Sequence, residues 1–164
     1  MSLVNGLPAH VLLVHVVVVL VPLTALALVA AAIWPAAARR LGVLLPGLAF
    51  VALASVPLTT QAGEWLERHV EDDALVRRHT ELGDGLLPWA LGLFVLAAVV
   101  WWATRATKGS RRLNSLPVRI AVGVLSVGVA AGAVVDVYRI GDSGAKAAWH
   151  DAYSKQGHGA ADGS

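Results

Sequence analysis

The run V-L-L-V-H-V-V-V-V-L-V-P-L-T-A-L-A-L-V-A-A-A-I-W, residues 11–34, decides the architecture. It holds no Lys, Arg, Asp or Glu, and no charged side chain occurs before Arg39. A helix of ~20 apolar residues crosses ~30 Å of hydrocarbon, so this run is long enough to span a bilayer. A cleaved secretion signal would need a basic stretch ahead of an apolar core of ~7–15 residues. Met1 to Pro8 offers no basic residue, and the segment is expected to be retained as the first helix.

Three further stretches repeat the pattern. One runs over 41–60, between Arg40 and Glu64; the next over 85–104, between Asp84 and Arg105; the last over 120–135, between Arg119 and Asp136. The last is short and is expected to rely on Arg119 and Arg139 reaching outward from the span. None alternates apolar and polar residues as barrel strands do. The expected fold is all-α, an integral membrane four-helix bundle at residues 1–140. An outward polar tail at 141–164 follows, disordered over 156–164.

The composition agrees. Of 164 residues, 57% are hydrophobic and 15% charged, with a mean hydropathy of +0.66. Soluble domains carry about a quarter charged residues, and disorder requires low hydrophobicity with high charge. With no cysteine, disulfides, thiolate metal sites and cysteine nucleophiles are all excluded.

Lys and Arg placement sets the expected orientation. Arg39 and Arg40 lie between spans one and two; Arg105, Lys108, Arg111, Arg112 and Arg119 lie between spans three and four. The other side holds Arg68, Arg77, Arg78, Arg139, Lys146 and Lys155, in longer segments. Short loops are the ones that count in the positive-inside rule, so both termini are expected outside and the protein in the cell membrane as a multi-pass chain. The basic cluster then serves topology and anionic lipid, not nucleic acid. Trp34, Trp65, Trp101 and Trp102 fall at span ends, where aromatic belts form. Pro35 is expected to end the first helix, while Pro22, Pro46 and Pro57 lie inside spans, where neighbours compensate the lost bond.

Under this topology all six histidines share the outer side with most of the acids. His15 lies four residues into an apolar run, where a lipid-facing imidazole is costly, so it is expected to point into the bundle. There it would serve as a ligand or proton-handling group, or as a helix–helix hydrogen-bond donor. His10 and His15 are ~140° apart on a helix, so each needs partners from other helices. His69 and His79 flank the second connection. Glu64 follows Pro57 and Gln61 on one helix face, and Gly83 follows His79 at i+4, a spacing that lets a flat macrocycle approach. In the last span Gly128, Gly132 and Asp136 form one row, with Arg139 three residues on. Close helix contact is expected there, together with an Asp136–Arg139 ion pair or an anion contact by Arg139.

The opening Gly6-Leu7-Pro8-Ala9-His10-Val11-Leu12-Leu13-Val14-His15 resembles the start of the bacterial membrane proteins grouped as domain of unknown function 2231. Their first helix carries G-x-P-x-H-P-L-L-V-H. His10 and His15 match the two motif histidines, Val11 replaces the proline, and His79 corresponds to a later histidine. The resemblance, over Gly6 to Tyr138, implies a four-helix membrane protein with haem or metal ligation suspected and no established activity.

Two functions compete. The first is a haem b- or metal-binding redox accessory. No nucleotide loop, nucleophile elbow or H-E-x-x-H occurs, so a hydrolase has little support, and the expectation leans away from an enzyme without deciding it. Haem needs axial histidines at similar depth. His15 with His79 is mismatched, and His10 or His69 with His79 fits better. A divalent metal would draw on His10, Glu64, His79, Asp84 and Asp136, a mixed donor set suited to zinc, iron or manganese. For haem, the expected contacts are His10, His15, His69, His79 and Arg139. The second function is a scaffolding subunit that packs against another membrane protein or itself.

Overall fold

The computed structural model describes residues 3–4, 7–67, 74–105 and 115–159, with side chains over 12–64, 78–79, 81–105 and 115–146. A two-residue antiparallel pair, β1 (Leu3–Val4) with β2 (Leu7–Pro8), leads into α1 (Ala9–Ile33). Then come the short α2 (Pro35–Leu41), α3 (Leu44–Glu67), α4 (Ala74–Arg105) and α5 (Leu116–Gly159). The four long helices form a bundle. α1 and α4 each pack beside both α3 and α5, and touch each other across the diagonal.

Four segments are long and apolar enough to cross a membrane: Leu12–Ile33, Leu44–Glu64, Glu81–Arg105 and Leu116–Lys146. The first three agree with the charge-bounded stretches. The fourth is a correction, because it is 31 residues long and does not stop at Asp136. That carboxylate is half-buried against α4 instead of ending the helix in water: a Cβ on Gly85 would lie 3.7 Å from its Oδ2. The helix also runs unbroken past residue 140 to Gly159. The stretch expected to be disordered therefore begins inside a helix, and 160–164 lie outside the described residues.

The side-chain distribution is that of a protein in lipid. Val17, Val21, Leu28 and Ala31 form one buried face of α1, and small residues fill the interior elsewhere: Ala49, Ala52, Ala90, Ala97 and Ala133 are all 4% exposed or less. Large apolar side chains point outward, with Val19, Leu26, Leu44, Phe50 and Val124 all more than half exposed. Small residues let helix backbones approach where the packing, not the hydrophobic effect, drives association. Among the buried hydroxyls of the described residues, Thr24 Oγ1 and Ser126 Oγ have no hydrogen-bond partner, and others bond back to their own helix. Ser55 donates to the Ala52 carbonyl, Thr59 to that of Ser55 and Thr60 to that of Pro57, the back-bonding expected of Ser and Thr within helices.

Pro35 ends α1 as expected. Steric conflict with a following proline ring pushes a residue to extended backbone, and Trp34 has φ −110°, ψ 110°. The chain turns again at Gly42, whose φ of +49° suits only a residue without a Cβ. α2 thereby carries Arg39 and Arg40 across the end of the bundle.

The register of α4 against its neighbours is antiparallel and regular. Gly85 faces Asp136, the Trp89 indole lies on Gly132, and Gly92 meets Val129 at a would-be Cβ distance of 3.0 Å. On the other flank Gly83 faces Thr60, and Phe50 meets Phe94 with ring centroids 6.0 Å apart.

Candidate functional site

All four spans contribute to one cavity at the end where α1 begins and α3 ends. Val14, Val17 and Val18 come from α1, and Val56, Thr59, Thr60, Gly63 and Glu64 from α3. α4 supplies His79, Gly83, Asp84 and Leu86, and α5 supplies Val137 and Ile140. The walls are thus mostly apolar, with one imidazole and two carboxylates set among them. The cavity encloses about 630 Å³ of atom-free space including its mouth, of which about 70 Å³ admits the centres of water molecules. At roughly 10–15 Å³ per water on that measure, it holds a handful of waters.

His79 is positioned from α5. Its Nδ1 lies 3.0 Å from Ser143 Oγ, and that hydroxyl donates to the Ile140 carbonyl at 2.8 Å. A hydroxyl has one proton to give. Committed to Ile140, Ser143 acts as acceptor toward His79, which places an imidazole proton on Nδ1. The ring rests on Gly144, where a Cβ would come within 3.0 Å of Cε1. Sequence reasoning missed both Ser143 and Gly144, because they fall in the segment read as a polar tail. The signal available was the antiparallel register, which carries α5 past His79 once it extends beyond residue 140.

Two prolines fall one helical turn from cavity residues. Proline has no N–H and so leaves the carbonyl four residues earlier without its helical donor. Pro22 does this to Val18 and Pro88 to Asp84, and both of those residues line the cavity.

The remaining expected residues are distributed differently. His15 is exposed and does not line the cavity, although Val14 and Val18 on the same helix do, which corrects the expectation that it points inward. The inward face belongs to Val17, Val21 and Leu28, and His15 falls about 160° round the helix from Val17. His10 is in the first turn of α1, with its side chain outside the described residues, and His69 lies outside them altogether. Arg139 is exposed. The expected Asp136–Arg139 ion pair is absent among the described residues, where the one salt bridge joins Lys146 to Asp142, and Asp136 Oδ2 is buried without a hydrogen-bond partner. Neither Asp136 nor Arg139 lines the cavity. No three His, Asp or Glu side chains among the described residues converge as a ready metal site. Gly83 lines the cavity, and a Cβ there would lie 3.8 Å from the Thr60 methyl.

A family model described as a predicted membrane protein, DUF2231, matches residues 6–157. No curated protein and no solved structure matches the chain.

Proposed function

The chain belongs to this family of multi-pass membrane proteins, and on that premise we propose that it is a non-catalytic accessory that binds a hydrated divalent metal cation in the end cavity. The observation that carries the reading is the joint lining of one small cavity by His79, Glu64 and Asp84. The three do not converge as a preformed site, so the ion would be held largely by its waters, with His79 as the protein ligand. His79 would ligate through Nε2, oriented by the Ser143 hydroxyl in the manner of outer-shell partners that fix a ligand's tautomer. One or both carboxylates would balance the ion's charge, and waters would complete its shell. Mixed imidazole and carboxylate donors suit zinc, iron or manganese. Space for a handful of waters favours an ion over a macrocycle such as haem b. His10 and His69 enter this proposal only as outer contributors.

The proposed orientation puts both termini and the cavity outside, on the strength of the arginines in the two short connections. A zinc titration of the detergent-purified protein tests the binding. Wild type is expected to take up one ion per chain, with His79→Ala and Glu64→Gln each losing it. Uptake unchanged in both variants refutes the cavity as the site.

A packing role is the second reading, favoured by Gly128, which is exposed with nothing within 4 Å of its would-be Cβ. Such a surface suits close approach of a helix from another protein or a second copy.

A further inference from the structure

At the opposite end of the bundle a second and roomier groove opens between α1, α2, α4 and α5. Its atom-free volume is about 1030 Å³, with about 330 Å³ available to water centres. Ala32, Val99, Ala103 and Val122 form apolar walls, and Arg39 and Arg119 line it as well. Both arginines are exposed, and neither makes a salt bridge among the described residues.

The charge at this end has no internal answer. Residues 1–63 and 85–135 contain no Asp or Glu at all, while Arg39, Arg40, Arg105, Lys108, Arg111, Arg112 and Arg119 fall within them. The C-terminal end of α1, α2, the N-terminal end of α3, the C-terminal end of α4 and the N-terminal end of α5 meet here. Among the described residues no carboxylate pairs with the two guanidiniums of the groove, which leaves them available to an anion from outside the chain. The Ala and Val side chains beside the two arginines, at the edge of four membrane spans, suit an occupant with an apolar part as well as an anionic one.

We propose that this groove is a binding site for an anionic phospholipid, with the headgroup phosphate held by Arg39 and Arg119 and an acyl chain lying along the Ala32–Val99–Ala103–Val122 walls. Guanidinium forks match phosphate oxygens in geometry as well as charge, and basic pockets between spans are a recurring form of anionic headgroup recognition. The site is independent of the metal reading and of which side of the membrane this end faces. Shared chemistry with free phosphate is separated by the acyl requirement.

Native mass spectrometry of the full chain, offered phosphatidylglycerol and phosphatidylcholine of matched acyl chains, tests it. A direct charge-assisted contact is worth about tenfold or more in affinity. Arg39→Gln with Arg119→Gln is thus expected to lower the phosphatidylglycerol preference by at least about tenfold beyond any loss that follows from removing charge at this end. The comparison is Arg40→Gln with Arg105→Gln, which removes the same charge from the same end without touching the groove lining and is expected to keep most of the preference. Excess inorganic phosphate is expected to leave the lipid adduct in place. Equal loss in the two double variants overturns the proposal in favour of a diffuse field. Displacement by inorganic phosphate, or equal retention of the two lipids by wild type, also overturns it.

Discussion

At the scale of single residues, the chemistry turns on His79. The Ser143 hydroxyl spends its proton on Ile140 and accepts from Nδ1, so removing it releases both the tautomer and the ring orientation. Loss of such a partner typically costs 10–100-fold in metal affinity. Ser143→Ala is expected to weaken zinc binding by about that range without abolishing it, as read in the same titration that tests His79→Ala. His15→Leu is expected to leave zinc uptake unchanged, because His15 is exposed and does not line the cavity. A loss of zinc in that variant would return helix α1 to the site. The contrast shows what the sequence carried. Glu64, His79 and Asp84 were legible as titratable groups at span ends, and all three line the cavity. His15 was misplaced because the expense of an imidazole in lipid was weighed without knowing which face of an almost uniformly apolar helix turns inward. Val17, Val21 and Leu28 take that face, and nothing in a run of Val and Leu marks it.

At the scale of elements, α5 repays the closest reading. Its glycine row was legible, yet the two glycines do different work. The Trp89 indole lies on Gly132, leaving no room for a Cβ, whereas Gly128 meets nothing within 4 Å. Overpacking a well-filled interface costs typically 1–3 kcal/mol. Gly132→Val is expected to destabilise the bundle by about that amount, and Gly128→Val to leave it within the scatter of surface substitutions, about 0.5 kcal/mol. Thermal unfolding of both variants in detergent measures the difference. Span boundaries were legible wherever charge met a connection, at Arg39 and at Arg105. They were not legible in α5, because Asp136 behaves as an interior residue opposite Gly85. That pairing is a property of the α4–α5 register, which no single helix reveals. Pro88 illustrates the same limit, since its effect falls on the carbonyl of Asp84, a residue whose place in the cavity only the assembled bundle defines.

The whole molecule is electrically polar along its long axis. All eleven carboxylates, all six histidines and six of the thirteen Lys and Arg belong by sequence to one end, and the other seven Lys and Arg to the opposite end. Such segregation would be costly to no purpose in a soluble bundle; in a membrane it fits a protein with one face toward anionic cytoplasmic lipid and the other toward the exterior. The proposed orientation would put the His79 cavity outside and the arginine groove inside. The absence of cysteine makes the test clean. Single substitutions Gly109→Cys, between α4 and α5, and Gly157→Cys, near the end of α5, are to be exposed to a membrane-impermeant thiol reagent in intact cells. The account predicts labelling at position 157 in intact cells and at position 109 only after permeabilisation. Labelling at position 109 in intact cells, with position 157 protected, would contradict it.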